Sequence, residues 1–382
     1  MRFVFFVHSL FSDWNHGNAH FLRGVVTELL ARRHEVSVWE PADGWSRANL
    51  LAQHGEGALA EIRAAFPHLR SHDHDLSGPG GEAVLERALD GALDGADVVL
   101  VHEWNDPALV AALGRRRARG GRFRLLFHDT HHRSVTAPEE MARYDLSAYD
   151  GVLAFGQAVA ERYRARGWGR QARVWHEAAD TRLFRPQPTP EARRDLIWIG
   201  NWGDGERTAE LHEFLLEPVR TLGLRARVHG VRYPEEGRRA LAEAGIAYRG
   251  WLPNHRAPAA LAAHRVTVHV PRRPYVKALP GIPTIRVFEA LACGIPLVSA
   301  PWTDSEGLFR AGRDFRMVRT GAEMAKALRE LLSDPDAAAA QARNGVETIR
   351  SRHTCAHRVD ELLACCAELG VRGSSPALAE VS

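Results

Sequence analysis

Arg286 and Glu289 stand three positions apart in the run GIPTIRVFEALACGIP, residues 281–296. Residues three apart share one helix face, so a guanidinium and a carboxylate would project together. Arg286 there can meet a phosphate, and Glu289 can accept hydrogen bonds from ribose hydroxyls. A packed helix with a surface Arg–Glu pair is the alternative. A second set lies at 200–207, where Gly200, Asn201, Gly203 and Gly205 precede Arg207. A glycine loop followed by a cation can cradle a diphosphate, or it is a plain strand-to-helix turn. Arg272, Arg273 and Lys277 concentrate positive charge just ahead of 281–296, for phosphate or as exposed charge. Two apolar runs end in histidine followed by a carboxylate, His102-Glu103 and His128-Asp129. Matching pairs at two strand ends suggest a site; structural histidines are the other reading, and a His/Asp metal site is the rival, although a carboxylate directly after each histidine is not a strong metal-ligand spacing. The stretch SHDHD at 71–75 has a metal-binding composition, but nothing in it fixes a coordination geometry. It reads as a solvated loop, and no metal site is expected.

The elements that would hold these groups can be read around them. Pro283 suits a helix start, residues 284–293 carry Val287, Phe288 and Leu291 on an apolar stripe, and Gly294 with Pro296 ends the helix. Its free N–H groups at Thr284 and Ile285 suit an anion. Strands are expected at 2–7, 35–39, 96–101, 124–127, 151–155 and 172–175. A loop with Gly17 and a helix over 19–33, striped by Leu22, Val26, Leu29 and Leu30, follow the first of them. Strand, loop, helix and strand open a doubly wound α/β domain, in which ligands bind beyond the carboxyl ends of the strands. Further strands at 196–200, 225–230, 246–251, 265–270 and 315–318 alternate with helices that run to about 369.

The chain has 382 residues, enough for two domains. The Pro-rich stretch after Phe184 marks the boundary. This divides the chain into 1–184, 185–350, a returning helix over 351–370 and a disordered tail over 371–382. A net charge of +3 is too small to argue for a nucleic-acid partner. No apolar run reaches transmembrane length, and the apolar start reads as a buried strand rather than a signal peptide. Four cysteines without zinc or redox spacing fit a reducing, cytoplasmic setting. The arginine-rich segment 115–124 reads as a solvated helix end, with peripheral contact at the inner face of the membrane as the alternative.

The run FEALACGIP, 288–296, resembles the donor-site pattern F/LEAxAxGxPxV of retaining GT-B glycosyltransferases, the family 4-like group, and most closely its CgeB-like branch. The resemblance implies two Rossmann-like domains facing each other across a cleft. The second would bind a nucleoside diphosphate sugar, UDP- or GDP-linked, with Glu289 on the ribose and no other cofactor. The pattern's earlier glutamate, eight positions before Glu289, which meets the transferred sugar, falls on Gly281. Asp180, Phe184 and Pro186 match the usual passage between the domains. Residues 101–107 are similar to the family's HxHEP region, which puts His102, and by extension His128 and Glu103, forward as catalytic candidates. Gly250 and Trp251 resemble the nucleobase-pocket element. Gly17, Gly200, Asn201, Arg207, Lys277, Pro283, Thr284, Ile285 and Arg286 complete the implied donor contacts. The reaction implied is glycosyl transfer with retention and without metal, to a glycan, lipid-linked or small-molecule acceptor. A nucleotide-sugar epimerase and a non-catalytic sugar-nucleotide binding protein are the alternatives.

Overall fold

The computed structural model describes residues 1–74 and 81–371. Asp75 of the SHDHD stretch and the expected tail from 372 onward lie outside the described residues. Among the described residues the first sheet has seven parallel strands: β1 (Arg2–Phe6), β2 (Glu35–Pro41), β3 (His72–His74), β4 (Val98–His102), β5 (Arg124–Asp129), β6 (Gly151–Ala154) and β7 (Ala172–Val174), in the order β3-β2-β1-β4-β5-β6-β7. The second has six: β8 (Arg194–Ile199), β9 (Ala226–His229), β10 (Ala247–Tyr248), β11 (His264–His269), β12 (Leu297–Ser299) and β13 (Arg316–Met317), in the order β10-β9-β8-β11-β12-β13.

The central strands are continuous apolar runs because helices cover both faces of a parallel sheet. Val98, Val99, Leu100 and Val101 of β4 are all sealed from solvent, as are Leu125, Leu126 and Phe127 of β5. The β4–β5 register sets His102 directly beside His128. Both sheets aim their carboxyl ends at the cleft between the domains. The last helix, Cys355–Glu368, crosses back onto the first domain. There Trp175 donates from Nε1 to the Arg358 carbonyl at 2.8 Å, and Arg32 pairs with Asp360.

Two expectations are corrected, at 72–74 and at Pro283. Residues 72–74 are not loop but the edge strand β3, paired with Trp39–Pro41 of β2, because a strand edge next to β2 takes up their backbone groups. The arginines of 115–124 stand at a half-exposed helix end, as expected, and those at 116, 117 and 124 are also held in ion pairs. Arg116 pairs with Glu86 and Asp90, and Arg117 and Arg124 share Asp150. Pro283 does not start the helix: Thr284 is the N-cap of Ile285–Cys293, so the proline lies one residue outside it.

Among the described residues no helix is long and apolar enough to cross a membrane.

Candidate functional site

The cleft holds two adjoining cavities, of 210 Å³ and 970 Å³, which share Asn15, Gly17, His131, His132, Asn201, Arg272, Tyr275 and Thr284 in their walls. The smaller is built mostly by the second domain, with Asn15, Gly17, His131 and His132 of the first closing it. The carboxyl end of β8 supplies Gly200 and Asn201, and the following loop returns Arg207 beneath them. Arg207 donates to the Val270 carbonyl at 2.8 Å, and to the Asn201 carbonyl and side-chain oxygen at 2.7 and 2.8 Å. Its guanidinium lies 5.1 Å from the Trp198 ring centre. Among the described residues no carboxylate pairs with it, and its Nε is buried without a partner. Burial, reinforced by neighbouring Arg272, lowers its pKa. A cation held by neutral acceptors beside a second cation is a place where an anion gains most.

The Ile285–Cys293 helix starts at the wall of both cavities. Its N-cap, Thr284, has φ +63° and ψ 163°, a region populated almost only by glycine. A β-branched residue held there stores strain, and strain of this kind collects at functional sites. The turn swings the helix N-terminus toward the cleft, where free N–H groups and the dipole favour negative charge. Gly17 comes up against it: a Cβ on Gly17 would stand 3.1 Å from Ile285 Cγ2.

Glu289 is buried one turn further in. Its Oε1 takes hydrogen bonds from His20 Nδ1 and Asn254 Nδ2, both at 2.8 Å, and its Oε2 pairs with Arg286. Burial pushes its pKa up, but Arg286, His20 and Asn254 outweigh burial and hold it near 2. The carboxylate is therefore ionised, and with three partners it keeps room for a further donor. His20 comes from the first domain, so Glu289 also fastens the two domains together. The same bolt includes Arg23, buried in the Asn18–Ala31 helix, which reaches Asn254 Oδ1 at 3.0 Å and Asp13 at 3.2 Å.

Of the expected donor contacts, Gly17, Gly200, Asn201, Arg207, Thr284, Ile285, Arg286 and Glu289 line the cavities. Lys277 does not: it is exposed on the short Arg273–Ala278 helix, outside both walls. Gly250 and Trp251 also stand apart. Trp251 donates to Asp13 Oδ1 at 3.1 Å and meets the His54 ring at a tilt, centre to centre 4.8 Å, so it serves the domain contact. Pro283 is buried behind the helix start.

The candidates on the first domain sit under the cleft floor. His102 is sealed from solvent, with Nε2 2.8 Å from Asn18 Nδ2 and 3.1 Å from Thr130 Oγ1. Burial, with His128 and His16 nearby, keeps it neutral. His128 is equally buried, with its pKa lowered to about 3 by burial, and packs on Phe21 and Trp175. Glu103 is spent on Arg133. The groups that do face the cleft from these strand ends are Trp104, Thr130, His131 and His132. They are the next residues along, where the strands end and the chain turns toward the cavity; Trp104 is exposed, whereas Thr130 and His132 are buried in its wall.

Glu177 was not singled out by sequence, yet it lines the larger cavity beside Thr284, Ile285 and Tyr275. It is 6 % exposed. Burial and Glu289 push its pKa up to about 8, against Arg286 and the Ile285 N–H. A protonated carboxyl thus faces the helix start at neutral pH. The position of the missing glutamate, Gly281, is closed: its φ is +89°, and a Cβ there would lie 2.5 Å from Glu306 Oε1. Glu306 in turn pairs with His176 at 3.0 Å. Among the described residues no group of three or more His, Cys, Asp or Glu side chains is disposed to hold a metal ion.

Residues 207–364 match a family model described as glycosyl transferase-like. No curated protein sequence matches the chain. Sucrose-phosphate synthase from Thermosynechococcus elongatus superposes with a TM-score of 0.65 at 15% identity, covering 97% of this chain and 99% of that one. HepE from Anabaena, solved in complex with UDP and glucose, gives 0.68 at 15% identity, covering 96% and 99%. A putative UDP-N-acetylglucosamine 2-epimerase from Listeria monocytogenes gives 0.59 at 13% identity, covering 98% of each chain. At these identities the likeness is one of fold, and the fold is GT-B.

Proposed function

We propose that this chain, a glycosyltransferase of GT-B fold with a glycosyl transferase-like second domain, takes its sugar from a UDP-linked donor and transfers it with retention and without a metal. The observation that carries the reading is the joint placement of Arg207, a cation with no carboxylate partner, and the strained N-terminus of the Ile285–Cys293 helix on one small cavity. The diphosphate lies between them. Glu289 accepts from the ribose hydroxyls through the lone pair its three protein partners leave open. HepE, solved with UDP and glucose on the same fold, supports UDP as the nucleotide.

Charge develops on the leaving diphosphate as the anomeric carbon–oxygen bond breaks. Arg207, Arg272 and the helix N-terminus are fixed there beforehand, so little reorganisation is needed. The carboxylates around the larger cavity are poor nucleophiles. Glu206 is paired with Arg272 at 2.9 Å, Asp204 with Arg232 at 2.9 Å, and Glu177 holds a proton at neutral pH. The acceptor oxygen therefore attacks on the face the diphosphate leaves. Its proton passes to the departing phosphate oxygen, and configuration is retained.

Calorimetry of UDP binding with and without EDTA, followed by NMR of the product's anomeric proton, tests this reading. Binding that survives EDTA and a product with the donor's configuration are expected. Failure to bind UDP overturns the donor assignment, loss on chelation overturns the metal-free mechanism, and an epimerised nucleotide sugar formed without acceptor overturns transfer.

A further inference from the structure

Among the described residues, four large apolar side chains are exposed, and two of them, Trp45 at 46 % and Trp104 at 40 %, line the 970 Å³ cavity. Both are held rigidly. Trp45 meets Trp14 edge to face at 5.0 Å, and the Arg232 guanidinium lies 5.7 Å from its ring. Trp104 has Arg133 stacked at 4.0 Å and the edge of His131 at 5.1 Å. Apolar ring surface of this size left open in a cleft marks contact with a ligand.

The polar groups around these rings say which ligand. Arg232 is paired with Asp204, and Arg272 with Glu206 on the side shared with the diphosphate cavity, so the wall beside the rings offers no unpaired charge to an acidic acceptor. What remains are neutral polar groups: imidazoles, the Thr130 hydroxyl, the Glu177 carboxyl and, beside the rings, amides. Asn49 donates to the Trp45 carbonyl at 2.8 Å, and Gln53 accepts from Trp14 Nε1 at 2.9 Å. Each leaves the other end of its amide for a ligand. An indole face suits the C–H face of a pyranose ring, and an amide suits its hydroxyls. A lipid tail would leave those amides unsatisfied, and a polyanion would find no cation.

We propose that the acceptor is an uncharged saccharide, its rings stacked on Trp45 and Trp104 and its hydroxyls bonded by Asn49 and Gln53. This rests on the transferase reading above and adds the acceptor class to it. The cavity volume is at the upper end of ligand sites, which accommodates more than one sugar ring.

The test uses the full-length protein with UDP-sugar donor. Neutral di- and tetrasaccharides, their uronate-containing counterparts and vesicles of anionic phospholipid are compared by UDP release and product mass. Neutral saccharides should stimulate release, and Trp45→Ala and Trp104→Ala should each raise acceptor KM at least tenfold with UDP affinity unchanged. Trp45→Phe should recover part of that loss. Preference for the uronates or for the vesicles, or alanine variants with unaltered acceptor KM, would overturn the proposal. UDP binding with no stimulation by any neutral saccharide would overturn the acceptor class alone. Absence of UDP binding would instead remove the transferase reading beneath it.

Discussion

Arg207 makes three hydrogen bonds to neutral oxygens and none to a carboxylate, which makes Arg207→Lys a sharp test. Lysine keeps the charge but lacks the planar fork that reaches Val270 and Asn201 and still faces a phosphate. UDP affinity should fall about tenfold, roughly 1.4 kcal/mol, and wild-type affinity in this variant would make Arg207 a packing residue. Glu289→Ala reaches further, because it leaves His20, Asn254 and Arg286 without their acceptor. Breaking a buried charged contact costs about 3–5 kcal/mol, so chemical denaturation should show a loss of this order alongside weaker donor binding. Glu177 gives a pH signature. With its pKa near 8, it is neutral at pH 7 and becomes anionic as pH rises through 8, close to where the donor diphosphate would lie. Donor KM should therefore climb on the alkaline side in the wild type and stay flat from pH 7 to 9 in Glu177→Gln. An identical alkaline limb in both proteins would remove Glu177 from the donor site.

Thr284 shows how an element departs from what its residues prefer. Its φ of +63° with ψ 163° costs about 1–3 kcal/mol, and glycine adopts this region freely. Replacing a threonine by glycine at a helix start ordinarily weakens it. Here Thr284→Gly should leave urea stability unchanged or raise it by about 1 kcal/mol, since relief of strain offsets the added freedom of the unfolded chain. A clear loss would mean the threonine side chain anchors the turn. The helix itself was legible in sequence: Val287, Phe288 and Leu291 mark its buried stripe, and Gly294 ends it in the left-handed conformation. So were the central strands, because strands buried on both faces are apolar throughout. What sequence could not give was which side chain at a strand end turns outward. His102 ends β4 and His128 stands one residue before the end of β5, both beneath the floor, whereas Trp104 and His131 lie beyond the last ladder pair and reach the cleft. Glu177 was invisible for a related reason. Nothing in HEAAD signals that the linker between the sheets carries its carboxyl into the wall. Lys277 and Trp251 lie outside the walls of both cavities, because nearness to the 281–296 run, for Lys277, and likeness to a family element, for Trp251, say nothing about the face on which a short connecting element is displayed.

At the scale of the molecule, the cleft is ringed by histidines that are neutral in the folded state, and this sets how stability depends on pH. Burial lowers the pKa of His8, His16, His102, His128, His131 and His132, and further histidines in the second domain, such as His229 and His269, behave alike. Unfolded, each would titrate near 6.5. Between about pH 4 and 6.5 the unfolded chain therefore binds more protons than the folded one, and stability rises with pH across that window. Glu177 acts in the opposite sense. Its folded pKa, near 8, lies above its unfolded value, so the folded state holds the extra proton and stability falls as pH rises from about 4.5 to 8. Asp129 is also raised by burial and adds to that fall. Below pH 6.5 the histidines outnumber the raised carboxyls, and each proton of difference contributes about 1.4 kcal/mol per pH unit. Above 6.5 the histidines are neutral in both states and only the carboxyls remain. The melting temperature should consequently climb steeply from pH 5 to a maximum between about 6 and 7, then decline gently toward pH 8. The Glu177→Gln variant should lose part of the alkaline decline while keeping the acid limb. A melting temperature independent of pH from 5 to 6.5 would mean that the histidines under the cleft floor are solvated and charged, and that the two domains do not close over them in solution.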